Sequence, residues 1–153
     1  MIDESLLEEM PAWLQEHARS YLESDGEKGH MWDSTVVGGP GPVQCLLLTT
    51  TGRKTGKKRL LPLIYGETEG GVVVVASKGG APTHPVWYLN LESQPEVEVQ
   101  VKAERFQALA RTASGDERAR LWEMMVGIWA AYTTYQENTE REIPVVVLER
   151  ATP

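Results

Sequence analysis

The chain has 153 residues, 41% hydrophobic and 24% charged, with a formal net charge of −7 at pH 7 and a pI near 5.0. That length predicts a single domain, 1–153, around one core, and no apolar run reaches the roughly 20 residues that span a bilayer. A lone Cys45 excludes an internal disulfide and fits a reducing cytoplasm, three scattered histidines offer no metal-ligand spacing, and the acidic balance disfavours nucleic acid.

The acidic N-terminus predicts no secretory signal. Residues 4–23 are expected to be helical: Ser5 and Glu8 have capping-box spacing, and Leu6, Leu7, Met10, Trp13, Leu14, Ala18, Tyr21 and Leu22 recur at helical intervals. Pro11 breaks that run and starts a second helix as its first residue. Residues 25–42, rich in Gly and Pro, read as loop. Strands follow at 43–50 and 59–65, joined by a basic turn, and "ETEGG" reverses the chain into 72–76. The four consecutive valines there suit a strand buried on both faces. After the loop "SKGGAPTHP", residues 86–91 form a short helix begun by Pro85. "VEVQVK" at 97–102 alternates as a half-buried strand and pairs with 104–111 as a hairpin. Ser114 and Glu117 form a second capping box that opens a helix to about Ala131, and the last strand is 143–149. About six strands in an antiparallel meander with three helices predict a mixed α+β fold, a small β-barrel with helical flanks.

Charge is distributed unevenly along this chain. Acids are absent from residues 34–66 and 70–91, while Arg53, Lys54, Lys57, Lys58 and Arg59 crowd the turn "TTTGRKTGKKR". Such a tip can simply be solvated. It is not a phosphate loop of the Walker type, because three residues rather than four separate Gly52 from Gly56 and no Ser or Thr follows Lys57. An anion cradle remains. The glycines admit a ligand close to the backbone amides, the threonines add hydroxyls, and two arginines can grip oxyanions bidentately. Five cations suit a ligand with several negative charges, since each pair at about 4 Å attracts by up to roughly 4 kcal/mol before desolvation.

The second acid-free stretch, "VVVVASKGGAPTHPVWYLNL", places Lys78 on another glycine turn and sets Trp87, Tyr88 and Asn90 nearby. These can hold a polar aromatic ring or fill a core. Leu121, Met125, Ile128, Tyr132 and Tyr135 form a stripe at helical spacing. Core packing is its default role, although Tyr135 lies beyond the expected helix end, and either phenol could serve as a proton donor.

These segments, with "PEVEVQVK", "AYTTYQ" and "IPVVVLER", resemble the deazaflavin-dependent nitroreductase, or coenzyme F420-dependent quinone reductase, family over about residues 43–149. The resemblance implies a split β-barrel of the FMN-binding split-barrel type over residues 43–149, which the N-terminal helical segment (1–24) and the Gly/Pro-rich loop (25–42) read from the residues precede. It implies that reduced F420 donates hydride to a quinone, an enone or coumarin-like compound, or a nitro-aromatic. The alternatives are an FMN enzyme on the same barrel and a non-catalytic module that binds a cofactor or lipid. Residue by residue, the resemblance places Arg53, Lys54, Thr55 and Arg59 on the phosphate and oligoglutamate tail, and Leu60, Leu61, Pro62, Leu63 and Ile64 beside the ring. Val75, Ala76, Ser77 and Lys78, with Val86, Trp87, Tyr88, Leu89 and Asn90, hold the ribityl chain and deazaflavin. Tyr132 and Tyr135 line the acceptor side. Some members touch membranes through an N-terminal helix, but Glu4, Glu8, Glu9, Glu16 and Glu23 here disfavour docking on anionic lipid. A monomer or homodimer is expected.

Overall fold

The computed structural model describes residues 4–7 and 10–151. Its elements are a 3-10 turn at Glu4–Leu6, α1 (Ala12–Glu23), β1 (Met31–Asp33), β2 (Pro42–Thr51), β3 (Lys58–Ile64), β4 (Gly66–Thr68), β5 (Gly71–Val75), α2 (Val86–Ser93), β6 (Glu96–Val101), β7 (Glu104–Thr112), α3 (Gly115–Ile128), α4 (Ala131–Glu137) and β8 (Val145–Arg150). The sheet runs β1-β2-β6-β7-β8-β5-β4, antiparallel at every pairing, and β3 pairs with the other edge of β2. Curling brings β3 against β5 without pairing them. The barrel is therefore split along that seam, as the family resemblance implies.

Alternation along the strands builds two cores that share one wall. Val72 and Val74 of β5, with Val146 and Leu148 of β8, face the barrel interior beside Leu46, Leu48, Val97 and Val99. Val73, Val75, Val145 and Val147 face outward, where Leu121 and Met125 of α3, Trp129 at its C-cap and Tyr132 of α4 cover them. The valine run is thus buried on both faces, as expected. A third cluster forms where α1 lays Ala18 and Tyr21 on Leu47 and Leu60 of the β2–β3 hairpin. The buried Tyr21 hydroxyl faces the carbonyls of Cys45 (3.0 Å) and Gln100 (3.3 Å) as donor and accepts from the Lys102 amide at 2.9 Å, which ties α1 to β2 and β6. Loop 24–30 can close over the β6–β7 turn only because residue 26 is glycine: a Cβ there would lie 2.4 Å from the Lys102 Cα.

Several sequence expectations are corrected. Glu4–Leu6 form one 3-10 turn rather than the start of an α-helix, and α1 takes Pro11 as its cap, one position before its first residue. The proposed Ser5–Glu8 capping box depends on Glu8, which lies outside the described residues. β1 lies inside the stretch expected to be loop, and β4 overlaps the start of the expected reversal, so eight strands are described instead of six. The Ser114–Glu117 capping box does not form: Ser114 makes no side-chain cap, and Glu117 accepts from both terminal nitrogens of Arg111 at 2.6 and 2.8 Å. The third helix stops at Ile128, and Tyr135 sits inside α4 rather than beyond a helix end.

Candidate functional site

The basic turn is closed by its own backbone, since the Gly52 amide donates to the Lys57 carbonyl and the Gly56 amide to the Gly52 carbonyl, both at 2.8 Å. Gly56 takes φ +73°, a conformation that a side chain would strain, and no protein atom lies within 4 Å of where its Cβ would be. Arg53, Lys54, Thr55, Lys57 and Lys58 are all exposed. Arg59 is partly buried, and its guanidinium donates to the Ser5 carbonyl (3.3 Å) and the Lys58 carbonyl (3.1 Å), bringing the N-terminal turn onto β3.

Asn90 couples this turn to α2. Its Oδ1 accepts the Arg53 amide at 3.1 Å, and its Nδ2 donates to the Thr50 hydroxyl at 3.3 Å. At 3% exposure, both ends of the amide are engaged inside the protein. Asn90, which sequence reasoning placed beside the cofactor, thus ties the basic turn to α2.

The β5–α2 connection folds as a tight turn in which Lys78, Gly79 and Gly80 all have positive φ (47°, 62° and 83°). A Cβ on Gly80 would lie 2.6 Å from the Tyr135 carbonyl oxygen, so this glycine lets the loop seat directly on α4. Lys78 reaches the Thr83 hydroxyl at 3.4 Å. Arg141, which sequence reasoning did not single out, donates to the carbonyls of Ala76, Ser77 and Ala81 and to His84 Nδ1. Its acceptors lie 57 to 65 residues away and are mostly backbone, so the sequence carries no pattern that would reveal them.

The structure thus links residues 53–59, 75–90 and 132–135 through Asn90 and Gly80, but their side chains do not all face a common space. Trp87 and Tyr88 fill the barrel core with Leu61 and Leu63, and the Tyr88 hydroxyl bonds that of Thr112 at 2.7 Å. Leu60 points the other way, under α1. Val75 and Tyr132 pack in the core between sheet and helices. Burial raises the Tyr132 phenol well above its ordinary range, so it keeps its proton. Tyr135 is more accessible, and its oxygen accepts from the Trp129 indole at 3.4 Å, which leaves its own O–H to point elsewhere. From Tyr132 an aromatic row runs through Tyr135 (6.2 Å between centroids), Trp129, Trp32 (6.4 Å from Trp129) and Trp13 (6.1 Å from Trp32), ending at solvent.

A cleft of about 270 Å³ lies on the outer face of β2, β3 and β6, walled by Leu6, Leu22, Leu47, Leu60 and Val99 with Lys58 and Arg105 among its polar lining. Of the basic stretch 49–59 it is lined by Thr49 and Lys58. The buried Cys45 thiol is pushed up to about 12 by burial and is not a nucleophile.

Comparison with known proteins agrees with the topology. The family model described as F420H(2)-dependent quinone reductase matches residues 13–150. An F420H(2)-dependent quinone reductase of Mycobacterium tuberculosis is 40% identical over 140 residues, 90% of this chain and 89% of its own. Among solved structures, an F420-H2 dependent reductase (FDR-A) is 43% identical with a TM-score of 0.64, covering 69% of this chain and 93% of that one. A second solved chain, described as a domain-swapped dimer, is 37% identical with a TM-score of 0.68, covering 90% and 97%.

Proposed function

The chain belongs to the F420H(2)-dependent quinone reductase family, and from that premise we propose that its basic turn and β5–α2 loop hold coenzyme F420 while the aromatic row beside Tyr135 receives a quinone. The chain is an F420-dependent reductase. Its own donor set fits that cofactor. The exposed cations of the turn, the open backbone at Gly56 and the second glycine turn at Lys78 match a ligand with an anionic tail and a polar ring. When bound, reduced F420 supplies the hydride; this chain supplies binding, orientation and a water-poor surface.

The observation that carries the reading is the Asn90 bridge. It fixes the Arg53 amide to α2, so the cationic turn and the glycine loop before α2 are held as one unit. Arg53, Lys54 and Thr55 hold the tail's anionic groups. The backbone of residues 60–64 on the seam side of β3 and the loop at residues 75–78 flank the ring. Tyr135 donates a hydrogen bond to the acceptor oxygen, with Tyr132 supporting it from the core. A quinone, flat and apolar with paired oxygens, suits a row of aromatic rings that begins at two phenols. The similarity to a chain described as a domain-swapped dimer supports a homodimer for this protein.

The test is a titration of the purified protein with F420 and with FMN, followed by anaerobic mixing with menadione, an enone and a nitro-aromatic. The expected result is F420 binding that weakens with salt, no tight FMN binding, and fastest oxidation by the quinone. Tight FMN binding in place of F420, or F420 binding without oxidation by any acceptor, would overturn it.

A further inference from the structure

The segment between α4 and β8 carries Arg141, whose guanidinium reaches back to the β5–α2 loop. Nε donates to the Ala81 carbonyl at 2.8 Å, Nη2 to Ser77 at 2.7 Å, and Nη1 to Ala76 at 3.2 Å and to His84 Nδ1 at 2.9 Å. Three carbonyls and one imidazole thus take four of the five N–H groups of a rigid planar fork. Among the described residues no carboxylate pairs with Arg141. The loop it grips holds three consecutive positive-φ residues, Lys78, Gly79 and Gly80. The turn has two backbone bonds of its own, from the Gly80 amide to the Ser77 carbonyl (2.9 Å) and from the Ala81 amide to the Lys78 carbonyl (3.1 Å), and its glycines are conformationally free, so the arginine adds outside bonds where the chain is least restrained.

We propose that Arg141 is a positioning residue that holds the β5–α2 loop in its cofactor-binding form, and that protonation of His84 releases it. This rests on the reading that the loop flanks F420. An arginine can only donate, so the 2.9 Å contact requires an unprotonated Nδ1 and places the imidazole proton on Nε2. An imidazolium offers no acceptor and sets a second cation against the guanidinium. His84 meets the Tyr88 ring of α2, with centroids 5.0 Å apart, the Arg141 guanidinium from the α4–β8 segment, and on its own loop Lys78, which binds the neighbouring Thr83. No carboxylate forms an ion pair with His84 among the described residues, and Glu142, next to Arg141, pairs with Arg118 at 3.4 Å. In acid one arm of the clamp opens, the turn at residues 78–80 loosens, and F420 affinity falls.

The test uses the full chain. Hydrogen exchange of amides 77–84 is measured without cofactor in the wild type, Arg141→Lys and Arg141→Met. F420 dissociation constants are measured by fluorescence at about pH 8 and about pH 5.5, at fixed ionic strength, in the wild type, Arg141→Lys and His84→Asn. Expected are exchange about tenfold faster at 77–84 in Arg141→Met with unchanged exchange in β5 and β8, and an intermediate effect in Arg141→Lys. The wild-type Kd rises at least about fivefold in acid, whereas His84→Asn, whose amide oxygen accepts without titrating, shows a flatter profile. Unchanged exchange in both Arg141 variants would overturn the clamp, and a His84→Asn profile as steep as the wild type would overturn the pH release. Should Arg141→Met fail to fold, Arg141→Lys and His84→Asn still decide. A wild type that binds no F420, while an Arg141 variant loosens 77–84, would overturn the functional reading and leave the clamp standing.

Discussion

Replacing Asn90 with Leu tests whether the cationic turn owes its position to one buried amide. The substitution keeps the approximate volume and deletes both hydrogen bonds, at 3.1 Å to the Arg53 amide and 3.3 Å to the Thr50 hydroxyl. Each bond contributes about 1 kcal/mol net, and a buried partner left unsatisfied costs a further 1 kcal/mol or so. Thr50 is such a partner, being only 1% exposed. The loss comes to roughly 3 kcal/mol, which for a chain of this length lowers the melting temperature by about 6–12 °C. Urea unfolding should show the same loss in midpoint without a change in slope. Asn90→Asp separates position from charge: a carboxylate can accept from both the Arg53 amide and the Thr50 hydroxyl, so it should unfold closer to the wild type. It also sets an anion beneath the turn, and should weaken F420 binding more than its stability loss explains. If Asn90→Leu melts within about 2 °C of the wild type, the amide does not hold the turn and the bridge between cradle and α2 is wrong.

Arg53→Ala with Lys54→Ala should weaken F420 binding about tenfold or more, since 1.4 kcal/mol suffices for that factor. Both side chains are exposed, so the melting temperature should stay nearly constant, and a calorimetric titration across salt concentrations checks both claims. Tyr135→Phe should slow quinone reduction at least about tenfold at unchanged F420 affinity, against a change of about twofold or less in Tyr132→Phe; stopped-flow oxidation of the reduced cofactor ranks the two. Burial and the nearby Lys102 hold His30 below its ordinary value where it meets the Tyr65 hydroxyl at 2.8 Å. The unfolded chain therefore takes up this proton first, so stability present above about pH 6.5 is lost as pH falls through the folded value. Melting curves of His30→Gln should fall less steeply with acid than the wild type.

The barrel was legible where burial acts on both faces of a strand or on alternate residues. The four valines of β5 and the "VEVQV" of β6 announce themselves because their patterns are the cores they build. β1 and β4 were hidden because each is three residues long and takes its strand character from a neighbour: β1 pairs with only Pro42, Val43 and Gln44 of β2. The second capping box failed through competition. Glu117 had the right spacing from Ser114, but Arg111 on β7 offers two charge-assisted bonds where the helix offered one neutral amide. At the site, the basic turn stood out because charge is readable residue by residue. Which way a side chain points is not, so Leu60, Trp87 and Tyr132 were grouped with a pocket although they pack into three separate cores. Arg141 was hidden for another reason: its acceptors are mainly backbone carbonyls, which every residue has.

The wall of β5 and β8, shared by barrel and helices, ties the two layers to a single fate. Val73, Val75, Val145 and Val147 keep their outward cover only while α3 and α4 are docked, and Val72, Val74, Val146 and Leu148 keep their inward cover only while the barrel is closed. Stripping the helices would leave a sheet with a greasy back, and opening the seam would leave the helices resting on a sheet with no front. Neither half is a viable remnant, so heat should take this molecule apart in one step, with the amides of these two strands the last to trade their hydrogens for deuterium.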